Sequence, residues 1–212
     1  MKKTVLVIVA MLITFANFGQ DIYNSMHCSP SAGGTFIVNN NHAQIGTNDK
    51  PRTFNIWVKQ DTTTSAEQDI FALEYNPAAM ILYKAYLNDT ILSFNVHGNV
   101  LTCIYPNDNQ WHHITFVSDT VQLTAAHTVY DTLSIFIDDV YVNGYQHSRN
   151  LYTGSDISTL SVIAVGYNTD NIASLVLDVF KGNLANFQIR DTAIYPTSVS
   201  DCVFDTTIAS NW

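Results

Sequence analysis

The chain is 212 residues long, 47% hydrophobic and only 13% charged, which supplies a sizeable core for one domain and excludes a charge-dense disordered tail. Eighteen acidic residues outweigh nine basic ones, a formal net charge of −9, so no basic stripe could dominate the field and a phosphate-tracking nucleic-acid binder is excluded. Sixteen of the acids are Asp and two, Glu67 and Glu74, are Glu, while Asn and Thr abound, a composition that favours strands and turns and excludes an all-helical fold.

The chain opens on MKKTVLVIVAMLITFANFGQ, with Lys2 and Lys3 ahead of an apolar run, Thr4 to Ile13, that is too short to span a bilayer. Residues 1–19 are read as a signal peptide. Cleavage after Ala16 places small residues at Thr14 and Ala16, and cleavage after Gly19 would expose Gln20; both sites stay open. No later segment reaches the roughly 18 apolar residues a membrane helix needs, so the mature chain is expected to be exported, without a membrane span, and soluble or peripherally attached. Loss of Lys2 and Lys3 leaves seven basic against eighteen acidic residues, a balance of −11.

Residues 20–34 form a polar lead-in ending at Gly33-Gly34, and a single domain is expected over 35–204, with 205–212 as a tail. Within it, short β-branched or alternating runs recur at 35–38, 53–59, 69–73, 80–86, 91–97, 100–105, 111–117, 133–137, 140–142, 160–166 and 183–190. Asn88-Asp89, Gly98-Asn99, Pro106 to Asn109, Asp138-Asp139 and Asn143-Gly144 separate them as tight turns. Such a rhythm predicts a two-sheet sandwich. Along 111–117 the alternation sets Trp111, His113, Thr115 and Val117 on one face and His112, Ile114 and Phe116 on the other, both faces partly covered, as in a central strand.

The succession TFNIWVKQD (53–61), NQWHHITFVSD (109–119), LSIFIDDVYV (133–142), SVIAVGYN (161–168) and FKGNLANFQIRDTAI (180–194) resembles the laminin G-like and pentraxin-type domains of the concanavalin A-like lectin/glucanase superfamily, across roughly residues 35–204. That resemblance implies a two-sheet antiparallel jelly-roll sandwich and core roles for Trp57 and Trp111. The chain departs from the family at Leu184-Ala185-Asn186, where acidic residues are usual, and at Asp138-Asp139, which replaces an Asp-Gly hairpin. A longer connection also runs from Asp119 to Leu133.

Catalytic chemistry is mostly missing. One branch of the superfamily hydrolyses glycosides with carboxylates alternating along a strand, which places two of them on one face over the sugar. Here the lone acidic pair at i, i+2 is Glu67 and Asp69, read as a solvated turn leading into IFAL, and no HExxH, CxxC, GxxxxGK or GxSxG motif occurs. The chain is therefore expected not to be an enzyme. His112 and His113 point to opposite faces and cannot chelate one metal. Oxygen-rich loops at Asn39 to Asn41, Asp138-Asp139 and Asn168 to Asp170 could take Ca²⁺, with Asp138, Asp139 and Asp170 as carboxylates, or be ordinary turns.

Sugar stacking needs exposed rings, and Tyr75, Tyr105, Tyr130, Tyr145, Tyr152 and Tyr167, placed in loops, are the candidates. Cys28, Cys103 and Cys202 allow three single bridges; Cys28 to Cys202, tying the two ends of the mature chain, is the expected one, and three buried thiols are the alternative. An Asp-Thr-aliphatic or Asp-Thr-Thr triplet recurs at Thr62, Thr90, Thr120, Thr132, Thr192 and Thr206, all expected in turns, and resembles an O-glycosylation acceptor of exported bacterial proteins. The expected function is a non-catalytic module that binds a glycan or glycoprotein at the cell surface. The alternative is a structural or accessory subunit of an outer-membrane or cell-surface protein assembly.

Overall fold

A computed structural model describes residues 25–28, 36–38, 51–75, 80–123, 128–150, 160–166, 180–190 and 192–196. They form twelve strands and no helix: β1 (Ser25–Cys28), β2 (Phe36–Val38), β3 (Arg52–Gln60), β4 (Glu67–Tyr75), β5 (Met80–Asn88), β6 (Ile91–Val96), β7 (Asn99–Ile104), β8 (His112–Leu123), β9 (Thr128–Ile137), β10 (Val140–Asn150), β11 (Leu160–Val165) and β12 (Gly182–Arg190). The first sheet runs β1-β12-β3-β8-β9-β10 and the second β2-β11-β4-β5-β6-β7, with every pairing antiparallel. The fold is an all-β sandwich, as the short alternating runs predict.

The core is built from alternate residues of the strands, except at the irregularity in β4, where adjacent Ile70 and Phe71 both enter it. Phe54, Ile56 and Val58 of β3, Ile114 and Phe116 of β8, and Leu133, Ile135 and Ile137 of β9 face Phe71 and Leu73 of β4, Tyr83, Ala85 and Leu87 of β5, and Leu92, Phe94 and Val96 of β6. Aromatic pairs bridge the layers: Phe54 stacks on Phe71 at 5.1 Å, and Phe94 meets Phe116 at 4.9 Å. Such pairs add to the area term that drives burial.

Several boundaries differ from the sequence reading. β1 lies within the polar lead-in and forms the edge of the first sheet by pairing Ser25–Cys28 with Gly182–Ala185 of β12. The long connection after Asp119 is an extended hairpin, β8 and β9 staying paired out to Leu123 and Thr128. Two turns sit one residue away from their expected places: Val96 pairs Asn99 around His97-Gly98, both at positive φ, and Asn88 pairs Ile91 around Asp89-Thr90. Asn143-Gly144 is not a turn: both residues pair with β9 inside β10, just after a register shift between Tyr141 and Asn143. Asp138 and Asp139 do form the expected hairpin turn, with φ of 51° and 64°. Asp tolerates that region better than most residues, and here the Asp138 carboxylate accepts the His113 N–H at 2.9 Å.

Candidate functional site

Part of the outward face of the first sheet is covered. Thr115 and Val117 of β8 and Phe136 of β9 are buried although they point away from the core. Part of the cover is the segment after β12. Thr53 of β3 holds it, its hydroxyl donating to the Thr192 carbonyl at 2.7 Å and accepting from the Ile194 N–H at 2.8 Å. This anchor delivers Tyr195, whose hydroxyl donates to Asp119 of β8 at 2.8 Å and whose ring lies 6.2 Å from Phe136. Burial, with Asp119 beside it, pushes the Tyr195 hydroxyl up to about 12, so it remains a neutral donor at ordinary pH.

On the other side of Phe136, the two-residue Asp138-Asp139 turn places Tyr141 directly opposite it, the rings 5.6 Å apart and steeply tilted. Tyr141 lies over Gly144, and a Cβ there would collide with its hydroxyl, so the glycine leaves room for the ring. The result is a row, Tyr141, Phe136 and Tyr195, crossing β10, β9 and the β8 side. Tyr141 is 58% and Tyr195 41% exposed, and Phe136 supports them from below. A row of this kind offers apolar ring surface edged by a carboxylate, the chemistry that the polar and C–H faces of a sugar require.

The tyrosines expected from sequence are not the ones that converge. Tyr105 is a core residue, 2% exposed, with its hydroxyl donating to the Val58 carbonyl at 3.0 Å. A ring inside the sandwich cannot stack on a ligand, which corrects its candidacy. Tyr145 is exposed but opposes Leu133, on the opposite face from Tyr141, because the register shift between Tyr141 and Asn143 flips the alternation. Tyr75 and Tyr130 belong to β4 and β9, their side chains outside what is described, and Tyr152 and Tyr167 lie outside the described residues. Tyr141 and Tyr195 were missed, although one was legible. With a two-residue turn at 138–139, counting outward pairs residue 136 with 141, two aromatics on one face.

Asp138 is committed to protein partners. Its carboxylate takes the His112 Nδ1 at 2.7 Å and the His113 N–H at 2.9 Å, while Asp108 meets His112 Nε2 at 3.0 Å and Asp139 lies 3.5 Å from His113 Nδ1. The His112 ring, held by Asp138 and secondarily by Asp108, has its pKa raised against an opposing effect of burial; burial lowers that of His113. These aspartates therefore orient histidines instead of presenting free oxygens to calcium, and no group of three metal-ligating side chains occurs among the described residues. Asp170 lies outside them. Trp57 is half-buried on the outer face, its ring 5.2 Å from His113, and so does not pack in the core as the resemblance implies.

Cys28 and Cys103 are not bridged to each other, and burial pushes both thiols up to about 11; Cys202 lies outside the described residues. Among the threonines, Thr62 and Thr192 are exposed and Thr90 is half-buried in a turn. Thr120 and Thr132 are in strands, not turns, because the two triplets face each other: Asp119 pairs Thr132 and Thr120 pairs Asp131. Thr206 lies outside the described residues. Glu67 and Asp69 likewise form no solvated turn. Both belong to β4, and Lys84 of β5, 3% exposed, contacts both carboxylates, with Asp69 fully buried.

No family model and no curated protein sequence matches the chain. Solved structures do. The binding domain of botulinum neurotoxin DC in complex with rat synaptotagmin II aligns with TM-score 0.54 at 13% identity, over 84% of this chain and 42% of that one. A Trypanosoma rangeli sialidase aligns with TM-score 0.53 at 10% identity, over 79% and 25%. The CBM40 module of a Ruminococcus gnavus sialidase, bound to α2,3-sialyllactose, aligns with TM-score 0.50 at 9% identity, over 81% and 93%. This chain spans less than half of the toxin chain and a quarter of the sialidase chain. The likeness is one of fold. No helix among the described residues is long and apolar enough to cross a membrane.

Proposed function

We propose that this protein is an exported, non-catalytic binding module of the laminin G-like, jelly-roll type, which recognises a glycan or glycoprotein at the cell surface through the outer face of its first sheet. The observation that carries the proposal is the row of Tyr141, Phe136 and Tyr195, with two rings open to solvent and Asp119 at its border. The CBM40 likeness supports a sugar and the toxin-domain likeness a protein-borne ligand. Among the described residues, the charged group bonded to the row is the Asp119 carboxylate, which favours neutral sugars over sialylated ones.

The test is a glycan array probed with the folded protein and with the Tyr141→Ala/Tyr195→Ala double variant. Retention on a neutral glycan is expected, weakened about tenfold in the variant, the equivalent of ~1.4 kcal/mol of lost stacking, with the variant still folded and unfolding cooperatively at a somewhat lower temperature. Absence of retention on every glycan sinks the proposal.

The accessory-subunit reading has its own observation. The edge strands β7 and β10 lie side by side, tied by the Asn143 amide donating to the Thr102 carbonyl at 2.7 Å, and they expose Val100, Ile104, Val140 and Val142. Apolar edge strands are templates for pairing with another chain. A stoichiometric partner that survives high salt in a pull-down would favour this reading over the glycan one.

A further inference from the structure

The buried charges of the second sheet point to a covalent chemistry. Core positions of β5 are Tyr83, Ala85 and Leu87, so Lys84 and Tyr86 project from the opposite, outer face of that sheet. Tyr86 pairs Asp69 across the hairpin, and the Lys84 side chain reaches back along the face to the same place, with its ammonium 3.1 Å from Asp69 Oδ2, in direct contact with Glu67 Oε1, and 5.5 Å from the Tyr86 ring centre. Lys84 is 3% and Asp69 0% exposed, yet neither Asp69 oxygen accepts a well-aligned hydrogen bond. As an ion pair this arrangement is poor: a buried carboxylate needs its lone pairs satisfied to offset desolvation. Glu67, a third exposed, is the member with access to water.

We propose that Lys84 and Asp69 condense into an intramolecular isopeptide bond, with Glu67 as the proton acceptor. Glu67 takes one proton from the Lys84 ammonium. The freed amine attacks Cγ of the protonated Asp69 carboxyl, the Cγ–Nζ bond forms, one Cγ–O bond breaks, and the departing oxygen leaves as water with its own proton and one from the amine. Glu67 then returns its proton to solvent, so the step needs no oxidant, cofactor or energy source. Burial pushes the Asp69 carboxyl well above the ordinary carboxylate range, the Lys84 charge opposing and Glu67 adding to that shift, and this keeps the carboxyl in the neutral form that an amine can attack. Holding amine and carboxyl in contact replaces a bimolecular encounter by a unimolecular one, and exclusion of water protects the product. Tyr86 and the sheet supply the dry surroundings. The bond would clamp β4 to β5.

Mass spectrometry of the folded protein decides it. Lys84 is the lone tryptic site between Lys59 and Arg149, and an acylated lysine is not cleaved. The expected product is a peptide spanning 60–149 that is lighter than its sequence by one water, with fragmentation placing the link between Asp69 and Lys84. Glu67→Gln is expected to keep the full mass and restore cleavage after Lys84. Asp69→Asn is expected to form the same bond with loss of ammonia instead of water. Full mass and cleavage after Lys84 in the wild-type protein overturn the proposal, and condensation persisting in Glu67→Gln overturns the role of Glu67. The wild-type measurement stands even if a variant fails to fold, and it is independent of the aromatic row.

Discussion

The His112 ring is held between two carboxylates, Asp138 on Nδ1 and Asp108 on Nε2, a setting that suits the doubly protonated imidazolium because both nitrogens then donate. Its pKa is raised on folding, chiefly by Asp138. The stabilisation it contributes is therefore fully present below its unfolded value of about 6.5 and is lost as pH rises through the raised folded value. His113 is shifted the other way by burial, so its contribution is present above about 6.5 and is lost as pH falls through the depressed value. A His112→Gln variant is expected to fall short of the wild type by most in mildly acid solution, the difference shrinking toward alkaline pH. Thermal unfolding of both proteins across that range checks it; a difference that grows with pH would contradict the two-carboxylate clamp. Sequence could place the two histidines on opposite faces but not name their partners, since Asp138 is 26 residues from His112 in the chain and meets it only through the β8–β9 pairing.

At the level of elements, β12 is the strand on which the first sheet turns. Gly182 begins it, paired on one side with Cys28 of β1 and on the other with Gln60 of β3. Its φ is +153°, and a Cβ would strike the Lys59 carbonyl and come within 2.9 Å of the Phe180 ring. Gly182→Ala is accordingly expected to destabilise the protein by roughly 1–3 kcal/mol, read as a lower denaturant midpoint with an unchanged slope. Gly144→Ala is expected to leave folding largely intact while displacing Tyr141, so its signature is weakened glycan retention. Period-two alternation made most strands legible, yet it misplaced two turns by one residue, because His97-Gly98-Asn99 and Asn88-Asp89-Thr90 each contain adjacent turn formers and only pairing selects the register. β1 was not read as a strand: SMHC does alternate polar and apolar residues, but four residues inside a polar lead-in are too short a signal, and the segment becomes a strand by meeting the free edge of β12.

For the whole molecule, the exposed β7–β10 edge is the most apolar surface described, with Ile104 and Val140 each 65% exposed. Natural sheets guard such edges with charges, and Lys is the usual guard. Introducing Ile104→Lys and Val140→Lys together is expected to change stability by no more than about 0.5 kcal/mol per site, since neither side chain is buried, while abolishing capture of any partner chain. Chemical denaturation and a high-salt pull-down measure the two effects; a variant that unfolds would show that the edge belongs to the core.

Composition and short-range pattern by themselves determined the all-β class, the two-sheet architecture, the Asp138-Asp139 hairpin and the two faces of β8, though not which of those faces is the core. These depend on local rules: strand period, turn chemistry and the area gained by burying alternate residues. Tertiary structure alone decided which tyrosines see solvent and where charge is buried. Tyr105 and Tyr141 look equally available in a linear chain, but the sandwich closes over one and leaves the other on its outer face. Glu67 and Asp69 read as a wet polar turn until Lys84, on the neighbouring strand, is laid across them. Each outcome turns on a contact between strands, and no local pattern along one strand states what its neighbour will bring.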